Sequence, residues 1–247
     1  MMHKACCILV MKTVGVLDKH CINTPLLTPV ISIKTDMTYH IYLGGSFDPV
    51  HHAHLQMAMT AFEQLSALHL PVTVTLLPTA GNPFKGVPTP TAHRLAMLTL
   101  ATAYLPIGID EREIHEPPPV YTIDTVRQLR DEFADDVLIY LVGQDSLSSL
   151  PRWKSGEQLP DLVKFWAFDR VGETKSIDPS ISARLTDDLA QFLSDDGLIY
   201  QDPSSIAAMS SSHIRQLIAD GKADTLTDYL HPAVIDYIDT HQLYQDS

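Results

Sequence analysis

His51 and His54 stand three residues apart behind the run Gly44-Gly45-Ser46-Phe47-Asp48-Pro49-Val50, and an apolar stripe begins directly after them. At the head of a helix this spacing puts both rings on one face, where two imidazoles can address the same anion. The glycine pair follows an apolar run, Ile41-Tyr42-Leu43. That order reads as strand, tight turn, helix. Glycines let the backbone approach a ligand closely, and a first helical turn offers N–H groups with a partial positive charge. Phosphate is the natural guest of such a turn.

A second helix start lies far downstream at Ser210-Ser211-Ser212-His213-Ile214-Arg215. The serines suit an N-cap, and Gly221 suits the left-handed position that closes a helix. Ile214, Leu217 and Ile218 fall on one face between them.

The elements that must position these residues follow from periodicity. Strands are expected at Tyr39 to Leu43, Val72 to Leu77, Ile107 to Ile109, Val137 to Val142, Phe165 to Phe168 and Leu198 to Tyr200. Helices are expected from about Ala53 to Leu68, from Thr89-Pro90 to about Tyr104, from about Thr122 to Phe133, and from Ser211 and Pro232 onward. Thr89 reads as an N-cap followed by proline at the first helical position. Pro78 to Pro90 reads as a loop, Pro117-Pro118-Pro119 as a stiff connector, and the acidic stretch from Gly172 to Gly197 as a peripheral insertion. Alternating strands and helices imply an α/β fold: a Rossmann-like, doubly wound parallel sheet with helices on both faces and ligands at the carboxyl ends of the strands.

Composition narrows the function. The chain has 247 residues, 45% of them hydrophobic and 19% charged, enough for one large α/β domain. A net charge of −13 without a basic run excludes nucleic-acid backbone as a partner. Small anionic substrates fit, because local helix starts, histidines and arginines outweigh a distant negative background. All three cysteines (Cys6, Cys7, Cys21) precede the first strand, which predicts a reducing, cytoplasmic setting without a disulfide framework. The apolar run from Ala5 to Met11 is too short to span a membrane. Residues 1–36 show no steady period and are expected to be an extension outside the fold, with the folded domain covering 37–247.

The string from Gly44 to His54 resembles the signature of the nucleotidyltransferase superfamily with a His-x-Gly-His box, in the form used by its nicotinate-nucleotide adenylyltransferase branch. Met209 to Arg215 resembles the second signature, Ile-Ser-Ser-Thr-x-Ile-Arg. The resemblance implies transfer of the adenylyl group of ATP to nicotinate mononucleotide, with pyrophosphate as the other product and Mg2+ carried in on the nucleotide. It assigns His54, His51 and Arg215 to catalysis. Gly44, Gly45, Ser46, Phe47, His51, His54, Ser211, Ser212 and Arg215 fall to ATP. Lys85, Thr122, Asp145 and Trp153 fall to the mononucleotide, through likenesses at Asn82 to Lys85, Tyr121-Thr122, Gly143 to Leu147 and Pro151 to Trp153. Thr122 reads equally as an N-cap, and Trp153 equally as a core residue.

Two positions depart from the pattern. Ala53 replaces the glycine of the box, and Phe84 stands where the branch carries histidine. Three other readings stay open: a relative acting on nicotinamide mononucleotide or phosphopantetheine, a catalytically inactive nucleotide-binding regulator, and a metal protein built on His51, His52 and His54. The last is weak, since three histidines within four residues cannot all face one ion from a regular helix.

Overall fold

The computed structural model describes residues 35–81, 86–170 and 177–245. Its strands are β1 (Tyr39–Gly45), β2 (Val72–Pro78), β3 (Ile107–Ile109), β4 (Val137–Gly143), β5 (Lys164–Arg170), β6 (Leu185–Thr186) and β7 (Ile199–Ile206). Its helices are α1 (His52–Ala67), α2 (Thr91–Thr102), α3 (Thr122–Glu132), α4 (Gln144–Ser149), α5 (Leu159–Leu162), α6 (Pro179–Ser182), α7 (Leu189–Ser194), α8 (Ser211–Ala219) and α9 (Pro232–Thr240). The strands form a single sheet in the order β3-β2-β1-β4-β5-β7-β6, and every pairing is parallel.

Alternation along the central strands explains the layering. Tyr39, Ile41 and Leu43 of β1, with Ile139 and Leu141 of β4, enter a core shared with α1, α2, α8 and α9. Tyr42, Leu138, Tyr140 and Val142 point the other way, into a core with α3 and α4. Apolar residues on both phases are what a strand covered on two faces requires. The sheet order reverses between β1 and β4, where the two neighbours of β1 lead away in opposite directions. A crevice at the carboxyl ends opens at such a reversal, and the β1–α1 turn and the start of α4 flank it.

The structure refines the sequence reading in several places. Pro90, not Thr89, is the N-cap of α2, and Thr91 is its first helical residue. Tyr121 caps α3, so Thr122 is the first residue inside it and not the cap. Within the stretch expected to be a peripheral insertion, Leu185–Thr186 form β6, which pairs with β7 as the edge strand of the sheet. The segment from Gln144 to Leu162 holds α4, a 3-10 turn at Leu150–Arg152, and α5, all shorter than a helical period can reveal. Gly221 has φ 71°, the left-handed closure expected after α8. Residues 1–34 of the extension expected at 1–36, with all three cysteines, and Phe84 and Lys85 lie outside the described residues. Among the described residues no helix is long and apolar enough to cross a membrane.

Candidate active site

The crevice is organised around the turn between β1 and α1. Gly44, the last residue but one of β1, lies against the hydroxyl of Tyr140, and a Cβ at that position would collide with that oxygen. Gly45 lies over the ring of Phe47, whose carbons would sit 3.2 Å from an added Cβ. Phe47 itself has φ 48° and is buried. Its ring meets His54 edge-on at 5.0 Å, so it supports the site from below. Gly44, Gly45 and Ser46 remain half-buried and present backbone to the crevice.

His51 and His54 share one face, as their spacing predicts. Their rings stack at 3.7 Å with 20° between planes, and the His51 backbone N–H donates to His54 Nδ1 at 3.3 Å. That bond fixes the tautomer: Nδ1 accepts, so Nε2 of a neutral His54 carries the proton. His51 is buried and His54 half-buried. The first-turn amides are less open than the sequence suggests, because the N–H of His52 donates to the Tyr229 carbonyl at 2.8 Å. Ala53 is buried inside α1, so its methyl group packs into the core and not into the crevice.

The second motif arrives beside the first. Ser210 caps α8 by accepting from the His213 N–H at 3.2 Å. Ser211 Oγ donates to the Pro49 carbonyl at 3.0 Å, and Arg215 Nη1 donates to the Asp48 carbonyl at 2.7 Å. These two bonds tie residues 162 and 167 positions apart in the chain. Arg215 Nη2 meets Ser212 Oγ at 3.3 Å, and the guanidinium is about one-third exposed.

Arg94 holds the turn from behind. Fully buried, it donates from Nε to the Thr89 carbonyl at 2.9 Å and from Nη1 to the carbonyls of Ser46 and Thr79, both at 2.8 Å. Burial lowers the guanidinium's pKa and the nearby Asp48 opposes that effect. The Asp48 carboxylate in turn accepts from the Thr89 N–H at 3.1 Å and the Tyr244 hydroxyl at 2.8 Å. Sequence reasoning missed Arg94, although one signal was present: it occupies the same stripe of α2 as Met97, Leu98 and Ala101. A charged residue at a core position implies buried partners. Tyr244 gave no such signal.

On the other side of the crevice, Thr122 hydrogen-bonds the hydroxyl of Tyr140, which burial drives well above the ordinary range. Asp145 lies half-buried in the first turn of α4. Trp153 is half-buried, packs against the α3-side core, and donates from Nε1 to Ser149 Oγ at 3.1 Å. Glu113, also missed, is a buried carboxyl hydrogen-bonded to Thr125 Oγ1 at 2.7 Å and to the Thr79 side chain. Burial raises its pKa. Among the described residues, no group of three or more His, Cys, Asp or Glu is placed to hold a metal ion.

Comparison with known proteins bears on the family and the fold. Residues 42–217 match the cytidylyltransferase-like family model. A protein of Pseudoalteromonas atlantica named "Probable nicotinate-nucleotide adenylyltransferase" is 35% identical over 83% of this chain and 94% of its own. One of the same name from Sodalis glossinidius is 37% identical over 83% of this chain and 96% of its own. In fold, the chain is similar to a Plasmodium falciparum nicotinic acid mononucleotide adenylyltransferase complexed with NaAD. That match has a TM-score of 0.64 and 21% identity, and covers 85% of this chain and 98% of that one.

Proposed function

The chain belongs to the nicotinate-nucleotide adenylyltransferase branch of the cytidylyltransferase-like family, and we infer that it transfers the adenylyl group of ATP to nicotinate mononucleotide. Pyrophosphate is the second product. The observation that carries the site assignment is the pairing of Arg215 with Asp48 and of Ser211 with Pro49, which sets both phosphate-directed helix starts on one crevice.

The mononucleotide's 5′-phosphate oxygen attacks the α-phosphorus of ATP in line with the leaving pyrophosphate. One P–O bond forms as the bond from α-phosphorus to the bridging oxygen breaks. The attacking oxygen is already ionised, so no general base is required. Catalysis then rests on positioning and on stabilising the charge that builds on the phosphoryl oxygens. Gly44, Gly45 and Ser46 offer close-approaching backbone. His54, protonated at Nε2 and backed by Phe47, donates toward the reacting phosphate while His51 fixes its plane. Arg215 and Ser212 receive the pyrophosphate. Ser211 already donates its proton to Pro49, so its part is to hold α8 in place beside the turn.

Magnesium would enter on the polyphosphate and neutralise part of its charge. The carboxylate nearest the turn, Asp48, is engaged by Thr89 and Tyr244, and this favours a cation that keeps its waters over an all-protein cage. Thr122, Asp145 and Trp153 receive the mononucleotide, with Trp153 stacking on the pyridine ring. Lys85 extends this set from outside the described residues.

Purified protein with ATP, magnesium and either nicotinate or nicotinamide mononucleotide, followed by pyrophosphate release, tests the reading. Turnover with nicotinate should exceed that with its amide by about 10-fold or more, since donors arranged for a carboxylate leave an amide poorly paired. Equal or better use of the amide would refute the substrate assignment.

A further inference from the structure

Tyr244 lies only a few residues from the end of the chain, yet its ring is buried and its hydroxyl reaches the signature turn. It donates to Asp48 Oδ1 at 2.8 Å, bridging 196 positions of sequence. The other carboxylate oxygen accepts from the Thr89 N–H at 3.1 Å. Arg215 Nη1 sits 3.9 Å from that second oxygen, but it makes its 2.7 Å bond to the Asp48 backbone carbonyl. The arginine therefore stands beside a carboxylate without closing a full ion pair on it. A carboxylate with both oxygens occupied has little reason to turn. Released from one partner at a 7%-exposed site, it would turn toward the nearest mobile cation, and Arg215 is that cation.

We propose that Tyr244 is a positioning residue for the transfer reaction, holding the Asp48 carboxylate so that Arg215 stays aimed at the departing pyrophosphate. The proposal rests on the reading of Arg215 as a pyrophosphate ligand. Tyr244 touches no substrate; it acts through Asp48 on the arginine's direction.

The experiment is a cycle of Tyr244→Phe and Arg215→Lys in the full chain, reading the dissociation constant of pyrophosphate by calorimetry alongside kcat, KM for ATP and melting temperature. Phenylalanine keeps the buried ring and removes only the hydroxyl, which donates to Asp48 and also meets the Thr89 side chain. Y244F should weaken pyrophosphate binding and lower kcat by about 5- to 10-fold, less than the full cost of a lost hydrogen bond to a charged group because the effect reaches the pyrophosphate only through Arg215. In the R215K background the same change should cost less than about twofold, because coupled residues are non-additive. Adding Asp48→Asn to Y244F should restore most of the affinity, since the neutral amide no longer captures the arginine. Equal losses in both backgrounds would overturn the proposal, as would a Y244F chain that fails to fold, which would make the hydroxyl a packing element. If R215K weakens pyrophosphate binding and Y244F does not, the proposal fails while the role of Arg215 stands. If R215K has no effect, both fall.

Discussion

The hydrogen bonds that tie Ser46, Asp48 and Pro49 of the β1–α1 turn to other elements join residues 41 to 196 positions apart, whereas the serine and tryptophan bonds of the α4 segment join residues three or four apart. In the first region, Thr89, Arg94, Arg215 and Tyr244 converge on Ser46 and Asp48 from the loop before α2, α2 itself, α8 and the C-terminal segment. In the second, Ser148 Oγ donates to the Gln144 carbonyl, Ser149 Oγ to the Ser146 carbonyl, and Trp153 Nε1 to Ser149 Oγ. The turn assigned to ATP exists only when the whole sheet and its helices have assembled. The side assigned to the mononucleotide is built largely by its own short segments. Such a division suits a transferase: groups that stabilise developing charge must not reorganise, while groups that recognise a ring can tolerate local adjustment.

The sharpest way to break the comparison is at the reacting phosphate. His54→Ala should lower kcat by about 10²–10³-fold, the usual cost of one donor at a developing charge. KM for ATP should move far less, and the melting temperature should stay within a few degrees, since His54 is half-buried and Phe47 keeps the floor of the site. Steady-state kinetics with both substrates varied decides it. Near-normal turnover would demote His54 to a helix-cap residue and move the chemistry elsewhere in the crevice.

On the locally built side the effect should be smaller and confined to one substrate. Trp153→Ala should raise KM for the mononucleotide by about 10-fold, the scale of a lost aromatic stack with its buried area, and change KM for ATP by less than about twofold. The Nε1 bond to Ser149 is local, so its loss should not travel to the β1–α1 turn. A matching rise in both KM values would mean that the two sides are one cooperative unit, and the contrast in bond range would then have no functional counterpart.

The same contrast explains how much of the molecule was legible in the sequence. The parallel sheet, the long helices and both helix-start motifs rest on short-range signals: period-two and helical apolar spacing, glycine turns and serine caps. The stacked pair His51–His54 follows from a spacing of three, and Gly221 from the demand for a left-handed closure. The long-range clamps left almost no trace. Nothing local to Tyr244 points to Asp48, and only the burial of an arginine on the apolar stripe of α2 hints at Arg94. Short elements were missed for a different reason. α5, of four residues, and the 3-10 turn at Leu150–Arg152 complete too few turns for any periodicity to appear. β6, of two residues, is specified by its pairing with β7 rather than by its own composition.

Glu113 is a long-range link on the mononucleotide side, as the bond from Thr122 to Tyr140 is, and its expected effect is the smallest. It joins the end of β2 at Thr79 to α3 at Thr125, with Asp110 and Arg112 of its own loop and Tyr140 of β4 as the other titratable groups facing it. Burial raises its pKa above the ordinary carboxyl value of 4.5, and the two hydroxyl donors and Arg112 only partly oppose that. The folded state therefore keeps its proton at pH values where the unfolded chain has lost it. Stability from this group is fully present below the unfolded pKa and declines as pH rises toward the folded value. Glu113→Gln preserves shape and one acceptor but cannot titrate, so the variant should lack that decline. Melting temperatures of both proteins from pH 4.5 to 7.5 should show the wild type losing ground to the variant by a few degrees as pH rises, with KM for ATP unchanged. Parallel curves would mean that Glu113 titrates alike in the folded and unfolded chain, with Thr79, Thr125 and Arg112 fully offsetting the effect of burial. The link between β2 and α3 would then be a charged clamp of the same kind as Asp48, and the two sides of the crevice would differ in the range of their bonds but not in their electrostatics.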